Sequence, residues 1–266
     1  MDLKDAKSGR QKLDSALISG TLASLSGKWQ NVEVLETVLS TNDLAIEKLA
    51  SNAGVVAIVT ADEQTKGRGR LQRDWSSPLG AGIALSIGCE LSEFSFEPST
   101  IPLAVGVTVV RALSTLGVKV NLKWPNDICF VADDGTLRKV GGILVQRTGD
   151  NIVIGIGLNV SLTQPELPTA IATSFLLEGF VVQRETLIAQ IIFEIEQLAN
   201  GTRSSWLTEY LNSCSTINSS VRVSAADGTS FEGLAKSISK AGGLEIEVAG
   251  DLVEVTVGDI EHLRHI

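Results

Sequence analysis

Between Gln64 and Trp75 the chain reads Gln-Thr-Lys-Gly-Arg-Gly-Arg-Leu-Gln-Arg-Asp-Trp. Lys66, Arg68, Arg70 and Arg73 thus sit on a glycine-punctuated loop in a protein whose formal net charge is −9. A cationic cluster that opposes the global balance points to a small, strongly anionic ligand. Fixed charge would grip it, and Gly67 and Gly69 would let the backbone come close. Arginine forks bind phosphate or carboxylate through two parallel hydrogen bonds. The spacing is not GxxxxGK[ST], and the third glycine and the following helix of a dinucleotide fingerprint are missing. On its residues alone the segment fits an RNA-binding stretch equally well.

Three further constellations could do chemistry. Ser40-Thr41-Asn42 offers side-chain oxygens that cap a helix, or that also face a ligand rich in hydrogen-bond donors and acceptors. Lys123-Trp-Pro-Asn-Asp127 is a strand that ends in a turn, or a place where Lys, Asn and Asp organise phosphate and a hydrated Mg2+. Lys139-Val-Gly-Gly-Ile-Leu-Val145 is followed by Gly155-Ile-Gly-Leu-Asn159. Paired glycines in two successive strands mark a bulge or tight crossing, or a ligand lying flat on the sheet.

The elements that must position these groups follow from periodicity and turn signals. Residues 33–39 read as a strand, and Ala45, Ile46, Leu49 and Ala50 form a helical stripe behind Ser40. Residues 55–60 and 82–91 are apolar strands on either side of the basic loop. A long apolar helix runs from Ser99 or Pro102 through Leu116 and stops at Gly117. Residues 118–123 alternate as a strand; 128–131, 140–146 and 152–160 form an antiparallel meander with turns at Asp133-Asp134-Gly135 and Gly149-Asp150-Asn151. Helices resume at 184–198 and 204–211. Beyond residue 217 the texture becomes all-β, with strands at 221–223, 231–238, 244–248 and 253–257 and turns at Asp227-Gly228 and Gly242-Gly243. In residues 1–27, Leu13, Leu17 and Ile18 line one face of a short helix.

Composition narrows the classes. Hydrophobic residues make up 44% and charged residues 20%, which places the chain among globular proteins rather than disordered ones. The acidic surplus opposes duplex DNA binding through the general surface. No apolar run is long enough to span a bilayer, and the start lacks a signal-peptide core. Cys89, Cys129 and Cys214 are far apart without CxxC spacing and read as reduced structural thiols. His262 and His265 read as surface residues near the end of the chain, which leaves no histidine triad or zinc site.

Taken in order, the four blocks resemble the catalytic domain of the biotin protein ligases (biotin–[acetyl-CoA carboxylase] ligases). The likeness covers about residues 33–200, and the terminal β module resembles that family's small SH3-like domain. The resemblance implies an α+β fold of the class II synthetase-like kind: a mixed, largely antiparallel sheet with flanking helices, plus a small SH3-like β-barrel. The expected layout is an N-terminal extension at 1–27, helical or disordered, a catalytic domain at 28–216 and the SH3-like domain at 217–266. It implies that biotin attacks the α-phosphorus of ATP to give biotinyl-5′-AMP and pyrophosphate. A lysine of a biotin carboxyl carrier domain, part of acetyl-CoA carboxylase or another biotin-dependent carboxylase, then takes the biotinyl group and releases AMP.

By the same resemblance Ser40, Thr41, Asn42 and Gln64 hold the ureido head of biotin, while Gly67, Gly141, Gly142 and Gly157 leave room for the ligand. Arg68, Gly69 and Arg70 clamp carboxylate and phosphate, and Lys139 reaches both. Arg70, Trp75, Asn126, Lys139, Leu158 and Asn159 contact ATP or the adenylate. Asn126 and Asp127 help place the triphosphate and Mg2+, or Asp127 instead orients the incoming carrier lysine. The catalytic set is Arg68, Arg70, Lys139 and Asp127. Leu71-Gln72, Gln146 and Ser239 depart from the family's commoner residues. The first 27 residues leave no room for a winged helix-turn-helix, so the expectation is a cytoplasmic ligase, monomer or weak homodimer, without DNA or membrane binding. A lipoate–protein ligase shares the fold and the adenylation logic; the C-terminal β module and the pairing of KWPND with GRGR favour biotin.

Overall fold

The computed structural model describes residues 10–52, 54–202, 205–224, 230–256 and 258–263. The first sheet comprises β1 (Val32–Val38), β2 (Ala57–Arg68), β3 (Asp74–Ser77), β4 (Gly82–Glu90), β5 (Asn121–Lys123), β6 (Asp127–Val131), β7 (Leu137–Thr148) and β8 (Asn151–Asn159). Their order is β1-β2-β4-β8-β7-β6-β5, with β3 hydrogen-bonded to β2. Only β1 and β2 run parallel; the other pairings are antiparallel. The fold is therefore the mixed, largely antiparallel α+β sheet expected from the sequence. The central strand β4 is an almost unbroken apolar run because both of its faces are covered.

The helices are α1 (Ser15–Ser24), α2 (Thr41–Ser51), α3 (Ile101–Thr115), α4 (Arg184–Ala199) and α5 (Trp206–Ser213). α3 and α4 pack together over one face of the sheet, and α1 lies against α4. Gly117, at φ 74°, ends the turn behind α3. On the other face α2 covers only one end, seating Ala45 and Leu49 on Ala57, Val59 and Val153. The Ser40 hydroxyl caps α2 by accepting from the Asp43 N–H at 3.3 Å. The rest of that face is left for a site.

α1 buries Ile18 and Leu22, while Leu17, expected on the inner face, is 47% exposed. The i, i+4 pair sets the inward stripe one step round from the reading that used Leu17. Ahead of the helix, both Asp62 carboxylate oxygens accept from the Leu13 N–H at 3.1 Å, and Asp62 pairs with Arg184 at 2.8 Å. This buried pair straps the N-terminal segment onto the sheet.

The basic segment is not a loop. β2 continues through Arg68, turns at Arg70–Gln72 and returns as β3, with Gly67 opposite Trp75 and Arg68 opposite Asp74. Leu71 and Gln72, at φ 54° and 60°, both hold left-handed backbone, which side chains disfavour by roughly 1–2 kcal/mol each. The arm stands out from the sheet as a hairpin.

A second sheet of five antiparallel strands follows: β9 (Ser220–Ser224), β10 (Ser230–Ile238), β11 (Leu244–Val248), β12 (Asp251–Val255) and β13 (Asp259–His262), in the order β12-β11-β10-β9-β13. β13 escaped the sequence reading, and β12 ends before the expected Val257. Val257, the Asp227-Gly228 turn, Ser204 and His265 lie outside the described residues. The small sheet is fastened to the large one through Trp124. Its indole N–H donates to the Gly242 carbonyl at 3.0 Å, and its backbone N–H donates to Thr216 Oγ1 at 3.1 Å. Thr216 Oγ1 in turn faces His262 Nε2 at 3.1 Å. His262 is therefore not the surface residue expected from its place near the end of the chain.

All three cysteines are free and buried, and burial pushes the Cys89 and Cys129 thiols up to about 12, so neither is a ready nucleophile. No helix among the described residues is long and apolar enough to cross a membrane.

Burial, with Lys123 nearby, pulls His262 down from 6.5 to about 4. As pH falls through this interval the unfolded chain takes up a proton that the folded chain refuses, so stability declines between those two values. Urea unfolding at about pH 7 and about pH 5 should show this decline in the wild type and a smaller one in His262→Gln.

Candidate active site

A cleft of about 410 Å³ opens on the face that the helices leave bare. Its floor is a cross-strand row. Ala84 lies opposite Gly157, Gly157 opposite Gly142, and Gly142 opposite Asp127. Directly opposed residues share a face of the sheet, so three adjacent strands present nothing larger than a methyl group. The Trp75 indole rests on this floor. A Cβ on Gly157 would lie 2.4 Å from Cε2 and 2.5 Å from Nε1 of that ring.

Lys139 reaches the cleft through a register shift. β6 and β7 pair Ile128 with Gly141 and then Cys129 with Lys139, which leaves Val140 as an extra residue. Strict alternation from Gly142 would send Lys139 to the opposite, core face. The bulge absorbs one residue, buries Val140 and turns Lys139 back beside Gly142. Lys139 Nζ then lies 2.5 Å from Asp127 Oδ1 and 5.7 Å from the centre of the Trp75 ring. The backbone on either side of Lys139 is braced. Its N–H donates to the Ile171 carbonyl at 2.7 Å, and its carbonyl accepts from the Thr173 N–H at 2.8 Å.

One wall is the start of α2. The Thr41 N–H and hydroxyl meet Gln64 Oε1 at 2.8 and 3.0 Å. Ser86 Oγ lies 2.7 Å from Thr41 Oγ1 and 2.6 Å from the Asn42 amide, and that amide lies 2.6 Å from the Gln146 amide. Above it stands the β2–β3 arm. Arg68 pairs with Asp43 at 3.2 Å, and Arg70 Nη1 donates to Asn126 Oδ1 at 3.5 Å. Asn126 also gives its amide N–H to the Ile143 carbonyl at 2.8 Å, which ties the Trp124–Asp127 corner to β7. Asn159 donates to the Thr173 carbonyl at 2.9 Å and so holds the segment that borders Lys139.

The cleft thus gathers Ser40, Thr41, Asn42, Gln64, Arg68, Gly69, Arg70, Trp75, Asn126, Asp127, Lys139, Gly142, Gly157 and Asn159. Three expected residues fall outside its lining. Gly141 and Leu158 face the core, where a Cβ on Gly141 would sit 2.4 Å from Leu158 Cδ2. Gly67 makes room within the arm; a Cβ there would meet Gln64 Nε2 at 2.1 Å and the Trp75 carbonyl at 2.5 Å. Sequence reasoning missed Asp43, Asp74, Gln146, the stretch Pro168, Thr169, Ile171 and Ala172, and Gly258 and Ile260 of the small sheet. Asp43, three residues after the cap, is the one with a local signal. Around the cleft five cations (Arg68, Arg70, Arg73, Lys123, Lys139) face three carboxylates (Asp43, Asp74, Asp127), a surplus of positive charge in an acidic chain.

The model of the biotin/lipoate A/B protein ligase family matches residues 34–159, the span that builds the floor, the arm and the Trp124–Asp127 corner. The biotin–[acetyl-CoA-carboxylase] ligase of Mycobacterium tuberculosis is 31% identical, over 96% of this chain and 97% of its own length. The chain belongs to the biotin protein ligase family. The bifunctional ligase/repressor BirA of Escherichia coli is also 31% identical, over 86% of this chain and 73% of that protein. Among solved structures, the Aquifex aeolicus biotin protein ligase in complex with biotin and ATP superimposes with a TM-score of 0.73 at 27% identity, covering 89% of this chain and 100% of that one. The Leishmania major biotin protein ligase in complex with biotinyl-5-AMP gives 0.62 at 26% identity, over 88% and 99%. The protein is a biotin ligase, and most of its cleft lining lies within the matched span.

Contact between Trp75 and the floor is a specific feature of this arrangement. Gly157→Ala should push the indole off the sheet. The intrinsic fluorescence should then change in this variant but not when the same substitution is made in a Trp75→Phe background.

Proposed function

We propose that the cleft binds biotin and ATP, joins them as biotinyl-5′-AMP with release of pyrophosphate, and passes the biotinyl group to one lysine of a biotin carboxyl carrier domain. The observation that carries this reading is the surplus of cations around a flat floor of Ala84, Gly157 and Gly142, on which the Trp75 indole already rests. The first step brings a carboxylate against a polyphosphate, two anions that repel. Lys139, aimed into the cleft by the Val140 bulge, and the arm arginines Arg68 and Arg70 neutralise both partners and the charge that grows on the α-phosphate oxygens. The reaction needs no covalent bond to the enzyme, and the two buried cysteines with raised thiols are unsuited to making one.

Ser40, Thr41, Asn42 and Gln64 supply the polar wall for the ureido head, and Gly142 and Gly157 give the planar parts of the ligand a surface to lie on. Trp75 flanks the adenylate, with Asn159 holding the adjoining segment. Closure of the β2–β3 arm would keep water from the mixed anhydride. In the second step the carrier lysine attacks as a neutral amine. Asp127, released when Lys139 turns to the substrate, would orient that lysine as it gives up its proton.

The donor set for Mg2+ is small. Among the described residues no group of three metal-binding side chains occurs, Asp127 is paired with Lys139, and Asn126 Oδ1 faces Arg70. These two residues suit a hydrated ion carried largely by the nucleotide phosphates rather than a protein cage. The acceptor assignment rests on the names of the relatives, which include an acetyl-CoA-carboxylase ligase. We assign no repressor activity to these residues: the one helix described ahead of β1 is packed into the core.

The test is pyrophosphate exchange with ATP and either biotin or lipoate. Exchange is expected with biotin; exchange with lipoate alone would overturn the reading. Lys139→Ala should lower biotin-dependent exchange by about 10²-fold or more while the fold is retained, because a lysine aimed into a cleft adds little to the core. Supplied biotinyl-AMP should still be transferred to carrier by this variant.

A further inference from the structure

The corner from Trp124 to Asp127 carries Asn126 and Asp127 to the cleft, yet the group that fixes its first residue comes from the small sheet. Lys123 pairs with Asp127, so Trp124 opens the turn between β5 and β6, and its N–H donates to a side chain, Thr216 Oγ1. Thr216 is fully buried, and its hydroxyl has two neighbours, the Trp124 N–H and His262 Nε2, each at 3.1 Å. An N–H can only donate, so the Thr216 oxygen accepts there. Its own single hydrogen then has one acceptor among the described residues, His262 Nε2. A hydrogen on Nε2 instead would leave the Thr216 hydrogen buried without a partner, which costs the desolvation of that group. His262 Nε2 is therefore the bare nitrogen, and the ring proton sits on Nδ1. Burial, with the Lys123 charge nearby, keeps the ring from taking a second proton.

His262 is itself held in place. It lies opposite Val221 in the β13–β9 ladder, and the next N–H, that of Leu263, donates to the Ser220 carbonyl at 2.8 Å. Side chains two apart on a strand share a face, so His262 points the same way as Ile260, which borders the cleft together with Lys123 and Trp124. At its far end the corner is tied to β7. The Ile143 N–H donates to the Asn126 carbonyl at 3.0 Å, and the Asn126 amide returns a hydrogen to the Ile143 carbonyl at 2.8 Å. The turn is thus pinned at one end by the large sheet and at the other by the small one. We infer that His262 is a positioning residue for the ligase reaction: as an acceptor it turns the Thr216 hydroxyl so that its oxygen holds the Trp124 backbone, and this sets where Asn126 and Asp127 stand at the edge of the floor. This rests on the reading of those two residues as the nucleotide side of the cleft. The polar wall assigned to biotin is built from α2 and β2, on other elements, so the chain from His262 governs the nucleotide and not the vitamin.

Two measurements test this. The chain has two histidines, so protein labelled with nitrogen-15 in histidine gives signals from two rings, and the one lost in His262→Gln is assigned. That ring should carry its proton on Nδ1 at neutral pH, and in Thr216→Val, which lacks the donor, the proton should spread to Nε2. A wild-type ring protonated on Nε2 would overturn the inference. The second measurement is pyrophosphate exchange set beside biotin titration without ATP, for wild type, His262→Gln, His262→Leu, Thr216→Ser and Thr216→Val. Glutamine can bring an acceptor oxygen to the place of Nε2; leucine fills the space and accepts nothing. His262→Leu and Thr216→Val should raise KM for ATP or lower kcat by roughly fivefold or more, with biotin affinity within about twofold of wild type. His262→Gln and Thr216→Ser should keep most of the activity. The double variant Thr216→Val/His262→Leu should be little worse than Thr216→Val alone, because both act through one bond. A ring that only fills space predicts that Leu serves as well as Gln and that both ligands lose alike, and either result refutes the assignment. Failure of the wild type to exchange with biotin would instead remove the proposed substrate, and the position of the ring proton in wild type and Thr216→Val would then decide for or against the chain.

Discussion

A side chain on a strand points to one face or the other, and changing its face requires a change in register. In this protein the extra residue Val140 makes that change for Lys139. It lets one strand place a glycine on the cleft floor, a valine in the core and an ammonium group over the floor within four residues. The ammonium is held near Asp127 across the strand pair and beneath the Trp75 ring. Other parts of the site are arranged around that point. The glycine row clears space beneath it, and the segment at Ile171–Thr173 braces its backbone. The arm brings arginines from the opposite side. A lysine with ordinary alternation would be buried under α3 and α4, where an ion without a close partner is costly.

The arm carries the other half of the charge. Its two ends are tethered by ion pair and hydrogen bond, Arg68 to Asp43 and Arg70 to Asn126, while its tip holds two non-glycine residues in left-handed backbone. That strained tip ends a ladder whose register already shifts between Gln64 and Gly67. Exposed ion pairs such as Arg68–Asp43 are worth about 0–1 kcal/mol, so an incoming anion can exchange them at small cost.

Much of this was legible in the sequence where the signal is local. The cap at Ser40, the stop at Gly117 and the meander between 127 and 159 depend on neighbours a few residues apart. The groups with motif-like spacing did meet in one cleft. What was not legible depends on distant partners. Residues 61–68 are mixed and polar, so nothing in their pattern shows that β2 runs on through Arg68. Gly141 and Gly142 look alike in sequence, yet the alternation of β7 puts one in the core and the other in the cleft. Gln146 is marked in the sequence only as a departure from the family's commoner residue, because its partner Asn42 lies over a hundred positions away. Ile260 comes from a strand that was not read at all, with Gly258 just ahead of it, and His262 was assigned to the surface because its partner Thr216 is set by the packing of two sheets.

That last contact zone has a thermodynamic result. The two sheets meet at Trp124, and both contribute to one cleft, since Gly258 and Ile260 border it together with the glycine floor. Anything filling the cleft touches both, so its binding also draws the small sheet onto the large one. Occupancy at a hundred times the dissociation constant adds about 2.7 kcal/mol to the stability of the liganded state. A ligand in the cleft therefore couples the unfolding of the small sheet to that of the large one.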